Sequence, residues 1–229
     1  MAHSELPPSS SDKWLACTGW RKLNASIPPG PTSAAAQEGT DAHTALADVL
    51  EGRLPIEKVT DKVLLDAIEM ILAYVEASES MVYSEIRVDF GEKFGYVGLT
   101  GTSDLVLINP KFIEVIDFKY GKQLVEAESN PQMLTYLLGA VSRFGSRPSY
   151  RITIAQPRAD HFLGPIRTAE VSQEELDDFS SRVEVAVRDS YLKPKLTPGA
   201  HCRNYCNALS VCPAVRELVV KAFKDSSDE

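Results

Sequence analysis

The chain has 229 residues, 44% of them hydrophobic, and a formal net charge of −8. That is enough apolar content for one substantial core, and the charge weighs against a nucleic-acid partner, whose phosphates call for Lys and Arg, without excluding one. No apolar run approaches the length of a membrane span, and Met1 to Ser11 lacks the basic and apolar regions of a secretion signal; a cytoplasmic protein with no membrane partner is expected.

The composition asks for no second domain. The expected organisation is an N-terminal segment over 1–31, a core over 32–192, a C-terminal segment over 193–224 and an acidic tail over 225–229. A short helix beginning near Ser10 carries Trp14, Leu15 and Cys17, and Pro28-Pro29-Gly30-Pro31 breaks the chain. Thr32 or Ser33 caps a second helix running to about Glu51, with Gly52 beyond it. His43 falls there on the stripe of Gly39, Leu46, Ala47 and Leu50, the face that packs on a sheet; Gly39 would clear the bulk past which His43 could reach. A satisfied core histidine is the plainer alternative.

A third helix over about 60–78 buries Val63, Leu64, Ala67, Ile68, Ile71, Leu72 and Val75. Met81 to Phe90 alternates as a strand, with Val82, Ile86, Val88 and Phe90 on one side and Tyr83, Glu85, Arg87 and Asp89 on the other; Glu85 either approaches a bound cation or is merely exposed. Phe94 to Leu99 reads as a short strand.

Residues 102–108 and 112–119 are Val-, Ile- and Leu-rich strands around the turn Asn109-Pro110-Lys111, a β-hairpin. With an even-numbered loop centred on Pro110-Lys111, Asp104 lies straight across from Asp117, their Cβ atoms roughly 5 Å apart. Two carboxylates that close repel unless one is protonated or a cation lies between them. Lys119, two residues past Asp117, shares its face. Two acids and a lysine suit a divalent cation with an ammonium beside it; an exposed Asp-x-Lys surface pair is the bland alternative.

Beyond a polar loop over 120–129, Asn130-Pro131 starts a helix with Gln132 and Tyr136 four apart on one face. A strand over Tyr150–Gln156 and an acidic helix over 172–192, with Ser172 and Glu175 as capping box, complete the core. Arg143, Arg147, Arg151, Arg158, His161 and Arg167 lie close in sequence and form either a basic surface or a solvated face.

In a reducing compartment Cys17, Cys202, Cys206 and Cys212 are not disulfides. Four thiolates make a complete shell for tetrahedral zinc or an iron–sulfur cluster. Three and five intervening residues do not match zinc ribbons, and the closing Cys-Pro is of ferredoxin type, so a [4Fe–4S] cluster is favoured, with Zn²⁺ as alternative.

Taken in order, Cys17, His43, Asp104, Asp117-Phe118-Lys119, Gln132 to Tyr136, then Cys202, Cys206 and Cys212, the chain resembles the RecB-like PD-(D/E)XK nucleases. The likeness is to their cluster-bearing members, the AddB nuclease domain, the CRISPR-associated RecB-like exonucleases and the small stand-alone phage or prophage versions. The resemblance implies an α/β fold, a central mixed β-sheet flanked by helices in a restriction-endonuclease-like core, with the cluster joining the N- and C-terminal segments. It implies that His43, Asp104, Asp117 and the Phe118 backbone carbonyl bind Mg²⁺ or Mn²⁺, that Asp104, Asp117 and Lys119 are catalytic, and that Gln132 and Tyr136, with Glu85 beside them, support the site and contact DNA. The implied activity is that of a metal-dependent deoxyribonuclease, an exonuclease acting on DNA ends or single strands in recombination, repair or phage DNA metabolism. The chain carries no helicase motif, so unwinding would come from a helicase or recombinase partner. Asp stands before the lysine where many relatives have Glu, a variation the pattern allows. The rivals are a non-cleaving DNA-binding or scaffold subunit of a recombination or phage-defence complex and a zinc-stapled regulatory protein.

Overall fold

The computed structural model describes residues 4–28, 30–203 and 206–225; Pro29 of the chain break and residues 226–229 of the acidic tail lie outside the described residues.

The sheet is organised by one turn. Asn109 Oδ1 accepts from the backbone N–H groups of Lys111 at 2.9 Å and Phe112 at 3.0 Å; this Asx turn, with Pro110 holding φ, reverses the chain tightly. It joins strands β2 (Thr100–Ile108) and β3 (Phe112–Phe118). Their register runs from Ile108↔Ile113 to Leu105↔Ile116, so the next position sets Asp104 opposite Asp117, as the centred turn requires. All of β3 is buried, which places it in the middle of the sheet.

The sheet has the order β1-β2-β3-β4-β5, with β1 (Met81–Asp89), β4 (Ser149–Ala155) and β5 (Ile166–Val171) added. β3 and β4 are parallel, joined over one face by helix α5 (Pro131–Phe144); the other neighbours are antiparallel. Asn130 caps α5 by accepting from Gln132 and Met133 N–H, with Pro131 at the first position, a start worth about 1 kcal/mol. On that face Met133 and Leu137 of α5, Trp14 of α1 (Ser11–Ala16), Trp20 of α2 (Trp20–Asn24), and Phe179 and Val183 of α6 (Gln173–Leu192) cluster with Val106 and Val115 of the sheet. The opposite face carries α3 (Ala34–Leu50) and α4 (Lys62–Ala77), whose Leu46, Ile68 and Ile71 pack on Leu105, Leu107 and Ile116. This is the mixed, helix-flanked α/β architecture expected. A C-terminal helix, α7 (Pro213–Asp225), follows the last cysteine.

Several local expectations fail for identifiable reasons. Phe94–Leu99 is a loop, because Asp89 accepts from Gly91, Glu92 and Gly98 N–H while Gly95 and Gly98 take φ of 79° and 88°. Strand β5, with a mixed burial pattern and edge position, gave no clear alternation in sequence. The alternation of β1 breaks at Glu85, whose φ is 46°. Tyr83 packs with Ile86, Val88 and Phe90 on the α5 side, and Val82 is exposed. Val63 of α4 is exposed too, in the first turn beyond the sheet. Gly39 is half-buried, and a Cβ built there would meet nothing within 4 Å, so the space it leaves is not taken up by His43.

The basic run does not form one surface. Arg147 donates to the carbonyls of Asn109, Phe144 and Ser146, Arg151 pairs with Glu170, Arg158 with Glu38, and Arg167 is buried against Val125 O and Gln156. Arg143 donates to the carbonyl of Arg87. Closeness in sequence is undone by the strand and turns between them.

Among the described residues, no helix is long and apolar enough to cross a membrane.

Candidate metal and phosphate site

At the end of the sheet where β3 finishes, three strands and two helices bring acids, a histidine and an amine together. β2 and β3 supply Asp104 and Asp117, and β1 brings Glu85 level with Asp104. Helix α3 on one face contributes His43, whose Nδ1 lies 3.0 Å from Asp104 Oδ1. Helix α5 on the other contributes Gln132, whose Nε2 donates to Asp117 Oδ1 at 2.8 Å. The acids are thus each tethered from opposite sides of the sheet.

Asp104 is held doubly, since its Oδ2 also accepts from the Phe118 backbone N–H at 2.7 Å. The Phe118 ring is buried 5.4 Å from the His43 ring and fixes its outlook. Lys119 Nζ lies 2.9 Å from Asp117 Oδ2 and 3.4 Å from Gln132 Oε1. The first contact is an ion pair that reaches the buried Oδ2 of Asp117.

The ligand atoms of His43, Glu85 and Asp104 lie within 4.8 Å of one another. Asp117 is not in that group; it turns toward Gln132 and Lys119. Glu85 therefore stands with the candidate ligands, the first of the two readings that its place on the strand left open. Its left-handed backbone, which carries no sequence signature, aims it there.

The electrostatics follow from the crowding. Burial pushes the Asp117 carboxyl up to about 6; Lys119 opposes this and Asp104 adds to it. Burial would lower His43, but the hydrogen bond to Asp104 and the charges of Asp104 and Asp117 outweigh it and raise it. Glu85 is raised by burial and then by Asp104. Tyr136, buried one turn after Gln132, is raised by burial and by Asp117 and Asp104. The donor set of nitrogen and hard oxygens suits Mg²⁺ or Mn²⁺.

The cysteines form a second assembly. Cys17, at the end of α1, and Cys202, Cys206 and Cys212 line one small cavity, together with His201 and Leu209. Thr197 N–H donates to Cys17 Sγ and Gly199 N–H to Cys202 Sγ, each at 3.4 Å. Burial raises the Cys206 thiol, to which the other three cysteines add. Among the described residues, no three cysteine sulfurs lie within 4.8 Å of one another.

Fold and site together define an α/β protein with a carboxylate–histidine cluster at the end of a five-stranded mixed sheet and a four-cysteine assembly joining its chain ends. The chain belongs to the DUF2800 family, described as a protein of unknown function, which it matches over residues 3–63 and 55–228. Solved structures of similar layout include a candidate exonuclease of Eubacterium rectale, with 15% identity and a TM-score of 0.45, covering 93% of this chain and 87% of that one. LHK-Exo in complex with dAMP has 11% identity and a TM-score of 0.47, covering 82% and 88% respectively. The alkaline exonuclease LHK-Exo of Laribacter hongkongensis has 11% identity and a TM-score of 0.38, covering 81% and 93%. Superpositions this loose locate no residue of the site.

Proposed function

We propose that the chain is a metal-dependent DNA nuclease that hydrolyses phosphodiester bonds at DNA ends or in single strands. The observation that carries this reading is the convergence of His43, Glu85 and Asp104 beside a buried Asp117 that is ion-paired with Lys119.

In this reading His43, Glu85, Asp104 and Asp117 hold Mg²⁺ or Mn²⁺, with the Phe118 carbonyl as a further ligand. Such an ion supplies an acidified water and neutralises phosphate charge. The remaining work falls to the chain. Gln132 fixes the Asp117 carboxylate and steadies Lys119, with which it shares a contact on each side. Lys119 places its ammonium where negative charge develops on the attacked phosphate. A doubly protonated His43 must lose one ring proton before it can serve as a ligand, so metal uptake releases protons and weakens as pH falls. Tyr136 supports Gln132 from one turn on and stays protonated as a donor.

We further infer that Cys17, Cys202, Cys206 and Cys212 hold a [4Fe–4S] cluster. Tetrahedral zinc, at about 2.3 Å from each sulfur, draws its thiolates to about 3.8 Å from each other; among the described residues no three of these sulfurs gather within 4.8 Å around their shared cavity. The cluster would fasten the N-terminal segment to the C-terminal one.

The test is a nuclease assay on end-labelled and circular DNA, single- and double-stranded, with Mg²⁺ and Mn²⁺. Metal-dependent cleavage of the linear substrates is expected. If pure protein with a full metal complement leaves every substrate intact, the reading fails.

A further inference from the structure

Lys119 and Gln132 meet at Asp117, but the chain between them is a loop with little of its own to hold it. Lys119 is fixed at the loop's start, its backbone N–H donating to Ala155 O at the end of β4 at 2.8 Å. Asn130 is fixed at its end, where it caps α5 two residues before Gln132. Over 121–126 there is no helix or strand, Val125 is half-buried and the other residues are exposed. Side chains in water give such a stretch no reason to keep one conformation, so its order must come from partners to its backbone.

Those partners come from β5 and from the connection that joins it to β4. Gln156, directly after β4 and 0% exposed, donates from Nε2 to Gly121 O at 3.0 Å and to Gln123 O at 2.6 Å. Its Oε1 accepts from the Val125 N–H at 3.1 Å. Arg167 of β5, 4% exposed, donates from Nη2 to Val125 O at 2.7 Å and to Gln156 Oε1 at 2.9 Å, and from Nη1 to Gly164 O at 3.2 Å. Arg158 closes the outer edge, its guanidinium 4.5 Å from the centre of the Tyr120 ring and paired with Glu38 at 2.7 Å. The partners of Arg167 are thus neutral oxygens. A guanidinium held in the interior on those terms is costly, so its place calls for a role beyond closing the sheet.

We propose that Gln156 and Arg167 are positioning residues for the acid cluster: they lock the loop between Lys119 and α5, so that the Lys119 ammonium and the Gln132 amide meet Asp117 in one geometry. The lock reaches the site at both ends of the loop. At the first, Tyr120 is buried with its ring 5.8 Å from that of Phe118. At the second, Asn130 donates from Nδ2 to Glu126 O at 2.7 Å and from its backbone N–H to Ala127 O at 3.2 Å, which carries the loop's placement into the cap of α5. A displacement of about 1 Å at a reacting group can cost about 10²-fold in rate, even when its cause lies outside the chemistry. The proposal rests on the nuclease reading for what Lys119 does; whether the loop is locked can be measured without it.

Amide hydrogen exchange of the wild type, followed by NMR, gives the first readout: the Val125 amide should be protected like those of β4, while Lys122 and Leu124 exchange fast. Gln156→Glu keeps an acceptor for Val125 N–H and a partner for Arg167, but sets a carboxylate oxygen against Gly121 O and Gln123 O. Exchange over 120–127 should then rise by about tenfold or more with β3 and β4 unchanged, and turnover at saturating DNA should fall by about tenfold with Kd within about twofold. In a Lys119→Ala background the same substitution should lower turnover by less than about twofold, because the group it misplaces is already gone. Arg158→Gln releases Tyr120 alone and should give the same pattern at about threefold, which keeps the test if Gln156→Glu does not fold. A Val125 amide as fast as its neighbours, unchanged turnover in both variants, or the full loss repeated in the Lys119→Ala background would each overturn the proposal. A protected loop in a wild type that cleaves no DNA removes the nuclease reading and the positioning role with it, whereas an unprotected loop in an active enzyme leaves that reading standing.

Discussion

The acid cluster and the cysteine assembly are both built from residues far apart in sequence, yet the chain supports them in opposite ways. Asp117 sits in a strand that is buried throughout, and ladder hydrogen bonds, Gln132 and Phe118 fix its neighbourhood without any ion. The cysteines sit at the end of a six-residue helix and in short 3₁₀ turns, where backbone N–H groups point at sulfur and the segment returns to α1 through Gly19 N–H to Lys195 O. In the proposed reading the first would be a site the fold preforms and the second a fastening completed by its cluster. Removing a ligand residue should therefore cost chemistry at one and stability at the other.

The sharpest way to break this contrast is Asp117→Ala. Cleavage should fall by at least about 10³-fold, as when a catalytic metal loses a ligand, while melting stays equal to or above wild type because a buried, repelled carboxyl has gone. A well-folded variant that cleaves at the wild-type rate would remove Asp117 from the site. Lys119→Ala comes next. Turnover at saturating DNA should drop by about 10²-fold, with a smaller change in affinity, the pattern for a group acting on the transition state; loss of affinity alone would make Lys119 a phosphate anchor.

Cys206→Ser probes the other region. Iron content should be lost and the melting temperature should fall by several degrees, because metal-centre binding contributes folding free energy directly. The fraction that stays folded should retain metal-dependent cleavage, since His43, Asp104, Asp117 and Lys119 are untouched. Iron analysis and calorimetry on the same sample decide it: full iron with unchanged melting would mean that the four cysteines do not form one centre.

The two regions also differ in how far the sequence revealed them. A hairpin's register follows from its turn, so Asn109-Pro110-Lys111 was enough to set Asp104 opposite Asp117, and capping residues such as Ser33 and Asn130 located the helices that carry His43 and Gln132. Glu85 stayed open between a bound cation and solvent because its side chain is aimed by a single left-handed φ, which no neighbouring residue type dictates. The lock made by Gln156 and Arg167 was invisible, since it grips the backbone of residues 121–125, whatever their side chains. The cysteines were legible only as a count and a spacing; the turns that bring them together have no periodicity to read. Arg143 to Arg167 stayed open in the sequence between a basic surface and a solvated face, because nearness in sequence does not fix nearness in space.

The smallest effect is the most specific test of the preformed site. The Asp117 carboxyl is raised from its ordinary value to about 6 in the fold. Relative to the unfolded chain, the folded state then binds the proton more tightly, so this group's contribution is fully present below the ordinary carboxylate pKa, near pH 4, and is lost as pH rises through 6. His43 and Glu85, also raised, act in the same direction. In EDTA, Asp117→Asn should therefore gain on the wild type as pH rises from about 4.5 to 7, by up to about 3 kcal/mol or several degrees in melting temperature. Other carboxylates titrate equally in both proteins and cancel from the difference. Adding Mn²⁺ at neutral pH should raise the melting temperature of the wild type more than that of the variant, because the ion takes the place of the proton on a ligand that only the wild type has. A constant gap between the two proteins across that pH range, with equal responses to Mn²⁺, would show that Asp117 is ionised and satisfied by Lys119 alone, and the acid cluster would then need no cation.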